Sequence, residues 1–65
     1  MAIETRFKCN RSDNDYLKVH SNLGGNDVII ILEIDGLETE MYLDIPTAIK
    51  LSKTIRTHIN LVKEI

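Results

Sequence analysis

Tryptophan is absent from this chain, cysteine and proline occur once each, glycine three times, phenylalanine once and tyrosine twice. Each scarcity closes a route. A lone thiol, Cys9, cannot form an internal disulfide, and beside only two histidines it argues against a structural zinc site. With no cysteine pairs and no apolar leader in the charged, alternating segment 1–6, the sequence fits a reducing cytoplasmic compartment rather than secretion. The longest apolar run is five residues, 28–32, far short of a membrane span. There are no repeats, no low-complexity tracts and no linker, so residues 1–65 are expected to form a single domain.

A domain of this size buries only about 60% of its unfolded surface, which leaves a thin stability margin. Small domains recover that margin with a disulfide, a metal or association. The first two are disfavoured here, so the composition itself points to a partner chain.

The formal charge of −2 conceals segregation. Residues 27–44 carry six acids (Asp27, Glu33, Asp35, Glu38, Glu40, Asp44) and no base. Residues 45–65 carry Lys50, Lys53, Arg56 and Lys63 against Glu64 alone. The first 26 residues are mixed, with four bases and three acids.

Period-two alternation runs from Ala2 to Cys9, where Ile3, Thr5, Phe7 and Cys9 share one side, and again from Tyr16 to Ser21. Cys9 is expected as a small buried hydrophobe at the strand end. The polar run 10–15 and the Gly24-Gly25 segment read as turns. Asp35-Gly36, between two further alternating stretches, is the preferred sequence of a two-residue type I′ hairpin. That turn sets a register: Ile34 opposite Leu37, Leu32 opposite Thr39, Ile30 opposite Met41, Val28 opposite Leu43. On the other face Glu33 meets Glu38, Ile31 meets Glu40, Ile29 meets Tyr42 and Asp27 meets Asp44. Like charges directly opposite one another are unfavourable. Asp44 reads as an N-cap and Pro46 as a first-turn residue. Ala48, Leu51, Ser52, Ile55, Ile59 and Val62 then recur at helical spacing.

The expected fold is α+β: a four-stranded antiparallel β-meander with one C-terminal helix packed on one face, ββββα. The helix is expected to cover Val28, Ile30 and Leu32 with Ile3, Phe7, Leu17 and Val19. The opposite face is left bare, with Ile29, Ile31 and Tyr42 exposed inside an acidic rim of Glu33, Glu38 and Glu40.

No residue pattern carries catalysis. Gly24-Gly25 lacks the rest of a phosphate loop, and there is no nucleophile elbow. His20 and His58 read as ordinary surface or boundary histidines. The three glutamates could in principle hold a hard cation, but at a solvated hairpin end they read as surface charge or as a docking site for a basic partner. No metal and no cofactor is expected. A second candidate face comprises Ile49, Lys50, Lys53, Arg56 and Lys63 on the helix. It could meet phosphates, but the acidic balance and the lack of an aromatic platform in that helix favour a solvated or protein-contact face.

Two resemblances bear on this. The segment Met41-Tyr42-Leu43-Asp44-Ile45-Pro46-Thr47-Ala48-Ile49-Lys50-Leu51 resembles the strand-to-helix ending of many small bacterial domains, which implies a fold and no activity. In size, acidity, cysteine poverty and lack of enzyme motifs, the whole chain is similar to small phage- and prophage-encoded inhibitors, anti-CRISPR proteins among them. That likeness implies docking on a nuclease or its guide-RNA complex. It transfers no site residue.

The expectation from sequence is therefore a non-enzymatic protein-binding module, an inhibitor of a nucleic-acid-processing defence complex that acts by surface docking. Its partner-binding residues would be Ile29, Ile31, Glu33, Glu38, Glu40 and Tyr42. The alternatives are a structural or regulatory homodimer that closes over Ile29, Ile31 and Tyr42, and a nucleic-acid binder using the helix face.

Overall fold

A computed structural model describes residues 3–64. Four strands, β1 (Glu4–Lys8), β2 (Tyr16–Asn22), β3 (Asp27–Ile34) and β4 (Leu37–Asp44), are followed by one helix, α1 (Ile45–Lys63). They form a single antiparallel sheet in the order β1-β2-β3-β4. The ββββα meander expected from the alternation is the fold observed. Ala2, which the alternation includes in the first strand, lies outside the described residues.

The β3–β4 hairpin follows from its two-residue turn. Asp35 and Gly36 adopt φ of 53° and 82°, the left-handed pair that a type I′ turn requires. All eight cross-strand pairs follow the register that this turn sets. The β2–β3 connection is longer. Gly25 N–H donates to the Asn22 carbonyl at 3.2 Å, Asn22 Nδ2 donates to Asp27 Oδ1 at 2.6 Å, and Asn26 takes φ 57°. At the other end of the sheet, the Asp35 N–H donates to Asp15 Oδ1 at 3.2 Å, tying the hairpin turn to the loop that precedes β2.

The helix begins at Ile45, directly after the last strand residue. Asp44 is extended and its Oδ1 accepts from Thr47 N–H at 3.0 Å; Pro46 occupies the first turn. Hydrogen bonds from the Thr47 hydroxyl and then its backbone N–H hold the Asp44 carboxyl below its ordinary value. At the far end, Glu64 N–H closes on the Asn60 carbonyl at 3.2 Å.

The junction has no linker, and that governs packing. Helices that fold back over a sheet usually follow a connection of about two to six residues; here there is none. The helix lies on the face that carries the even-numbered residues of β3, called the even-numbered face below, yet only Ala48, Leu51, Ser52 and Ile55 approach Leu17, Val19, Val28, Ile30 and Leu43, across an open groove. The expected covering of Val28, Ile30 and Leu32, with Ile3, Phe7, Leu17 and Val19, is accordingly not achieved within one chain. Leu32 is 46% exposed and Met41 63%. Ile59 and Val62 lie further along the helix, beyond the groove. No described residue is buried, whether apolar or polar. The radius of gyration is 13.4 Å, against about 11 Å for a compact chain of this length.

Cys9, expected to be buried, is exposed just beyond β1. With no core beneath the strand end, its sulfur instead accepts from Arg11 N–H at 3.4 Å.

Candidate functional site

Strand alternation divides the sheet into two unlike faces. The odd-numbered face of β3 carries the residues singled out from sequence. Register places Ile29 between His20 and Tyr42, Ile31 between Lys18 and Glu40, and Glu33 between Tyr16 and Glu38. Ile29, Ile31, Glu33, Glu38, Glu40 and Tyr42 therefore do share one face, but β1 and β2 add charge of both signs to it.

Lys18 is the residue that sequence reasoning missed. Its ammonium lies 2.9 Å from Glu33 Oε1 and 3.2 Å from Glu38 Oε2. The side chain is only 12% exposed, and these two hydrogen bonds, Glu33 first, raise its pKa above the ordinary 10.5. The facing pair Glu33 and Glu38 is thus bridged by a shared cation. Nearby, the Arg6 guanidinium stacks 5.0 Å from the Tyr16 ring centroid, a cation–π contact. The acidic rim contracts to Glu40, which accepts from the Tyr42 hydroxyl at 3.4 Å. Nor is this face bare, because Ile29 and Ile31 are half-buried among the long side chains beside them, while Tyr42 stays exposed.

The larger apolar surface lies on the opposite side. Phe7, Leu17 and Leu32 form one row across the strands, and Val19, Ile30 and Met41 form the next. Toward the hairpin turn, Phe7, Leu17, Leu32 and Ile34 line a shallow depression together with Tyr16 and Cys9. Toward the helix, the same face opens into the groove under Ala48, Leu51 and Ile55. The stripe then continues along the helix through Ile59 and Val62, flanked by His58 and Lys63. The signal for this surface is present in the sequence, where the alternation predicts a covered core.

The second candidate face is exposed throughout: Ile49, Lys50, Lys53, Arg56 and Lys63. None of its four basic residues forms a salt bridge with a described residue.

Chemically, the site offers apolar area and scattered charge. Among the described residues no three His, Cys, Asp or Glu side chains are grouped to hold a metal ion. No helix among them is long and apolar enough to cross a membrane. No protein-family model matches the chain, and neither curated proteins nor solved structures supply a match.

Proposed function

We propose that this chain is a non-enzymatic protein-binding module whose working surface is the even-numbered sheet face continued by the helix stripe. One observation carries this reading: the most apolar face of the protein is only partly covered within the chain, and no described side chain is buried. Folding must offset roughly 1–2 kcal/mol of backbone entropy per residue, chiefly through apolar burial. A contiguous exposed apolar face of this kind marks an interaction surface. Apart from Ser52 the groove is lined by aliphatic side chains, which suits a polypeptide better than a polar small molecule.

The finer reading, inhibition of a nucleic-acid-processing defence complex by docking, draws on size, acidity and motif poverty. Within it, exposed Tyr42 beside half-buried Ile29 and Ile31 supplies an apolar anchor on the outward face, with Glu40 at its edge. Anchors of this type concentrate binding energy in interfaces.

The test is the native particle mass of the chain in extracts of cells that make it. An assembly larger than the 7.4 kDa chain is expected. A 7.4 kDa particle that unfolds cooperatively would overturn the reading.

A further inference from the structure

We infer that the surface covering the even-numbered face is a second copy of this chain, in a two-fold dimer where each protomer's helix stripe lies on its partner's sheet. This rests on the reading of the chain as a protein-binding module and identifies the partner. Two observations support it.

The first is area. The chain exposes 5622 Å², whereas a compact monomer of its mass exposes about 4200 Å². The excess is about 1400 Å² per chain, so a pair that restored compactness would bury about 2800 Å² in total, within the range of obligate homodimers. The missing cover and a stable dimer are thus the same size.

The second is shape. The monomer leaves two apolar elements unpaired. One is the turn-ward half of the sheet face, where Phe7, Leu32 and Ile34 line a depression that no helix residue enters. The other is the C-terminal half of the helix stripe, Ile59 and Val62, which extends past the protomer's own groove. A two-fold operation brings these two elements together twice, since an isologous interface pairs patch i with j and j with i. The helix is about 28 Å long at 1.5 Å per residue, and its first half, through Ala48, Leu51 and Ile55, lines the protomer's own groove beside Leu43. Only its distal half is free to reach a partner.

In this dimer the outward surfaces are the odd-numbered sheet face and the basic helix face. The proposed partner-docking residues Ile29, Ile31, Glu40 and Tyr42 stay available on the assembled particle. Self-association and external docking then use different sides of one sheet.

The decisive experiment is the mass of the purified full chain by light scattering, paired with its unfolding midpoint across a hundredfold range of concentration. We expect twice the 7.4 kDa chain mass and a midpoint that rises by roughly 5–10 °C over that range, because assembly and folding are linked. Ile59→Glu should abolish the dimer and unfold the chain. Since unfolding alone is ambiguous, Met41→Lys and Tyr42→Lys are compared on opposite faces: the first should weaken dimerisation at least tenfold and the second leave it unchanged. Loss of the dimer with Tyr42→Lys alone overturns the inference. So does a purified chain that is monomeric or unfolded at every concentration. If that chain nevertheless joins a larger particle in cell extract, the module reading stands without the second copy. A folded monomer in both settings removes both.

Discussion

Lys18 and Glu33 form the shortest salt bridge in the described protein, 2.9 Å between Nζ and Oε1, and the same ammonium reaches Glu38 at 3.2 Å. One cation thereby holds together the two acids that the hairpin sets face to face. The arrangement depends on β2 pairing with β3 so that Lys18 lies opposite Ile31, diagonal to Glu33.

Replacing Lys18 with methionine should lower the thermal midpoint at neutral pH by a few degrees, because it leaves Glu33 and Glu38 opposed without compensation. Adding Glu38→Gln should recover most of the loss. The pH sign follows from the direction of the shift. The Lys18 pKa is raised above 10.5 in the folded state, so its contribution is fully present below 10.5 and disappears as pH rises through the folded value. Wild-type protein should lose stability in that alkaline window, and Lys18→Met should lose less. An equal alkaline loss in both proteins would show that the bridge contributes nothing.

The hairpin gives a sharper test. Gly36 sits at φ +82°, where an L-side chain costs about 1–2 kcal/mol. Gly36→Val should destabilise by at least that amount, read as a shift of the urea midpoint at constant slope. Gly24 makes the control, since a Cβ there meets nothing within 4 Å. Gly24→Ala should fall within about 0.5 kcal/mol of wild type, or stabilise slightly by restricting the unfolded chain.

These two sites also mark what was legible in the sequence. Asp35-Gly36 leaves one economical way to join its strands, so the β3–β4 register and the division of 28–32 between two faces could be read directly. The four residues 23–26 between β2 and β3 admit several registers. Without the correct one, Lys18 cannot be placed between Glu33 and Glu38, and the sequence predicts an acidic rim. How closely the helix packs is not legible for a different reason. Periodicity identifies which stripe is apolar, but how closely a helix packs depends on its connection. Asp44 passes directly into Ile45, so the stripe is on the expected side and remains open.

Asp44 is itself testable. Its carboxyl accepts from Thr47 N–H at 3.0 Å, and its pKa is lowered from the ordinary 3.8 by Thr47, the hydroxyl contributing most. A depressed carboxyl stabilises the fold above 3.8, and that contribution is lost as pH falls through the lower folded value. Asp44→Ala should reduce helical circular dichroism and the thermal midpoint at pH 7. Asp44→Asn should keep much of the cap, because the amide oxygen still accepts, while removing this part of the acid dependence. Equal behaviour of the two variants would mean the capping bond is dispensable.

The outward face yields the final prediction. Glu33 and Glu38 already share Lys18, so neutralising them should disturb that bridge more than any docking contact. Glu40 and Tyr42, joined at 3.4 Å, have no basic partner among the described residues. Glu40→Gln with Tyr42→Ala should therefore leave the midpoint within a few degrees of wild type and leave the particle mass unchanged. Binding to an external protein partner should fall by about tenfold or more, as removal of an aromatic anchor does. The readout is affinity for the captured partner by calorimetry, beside Lys53→Glu with Arg56→Glu on the helix face. If the helix pair weakens binding and the sheet pair does not, the docking surface is the basic face, and Ile29, Ile31 and Tyr42 serve only to shape the sheet.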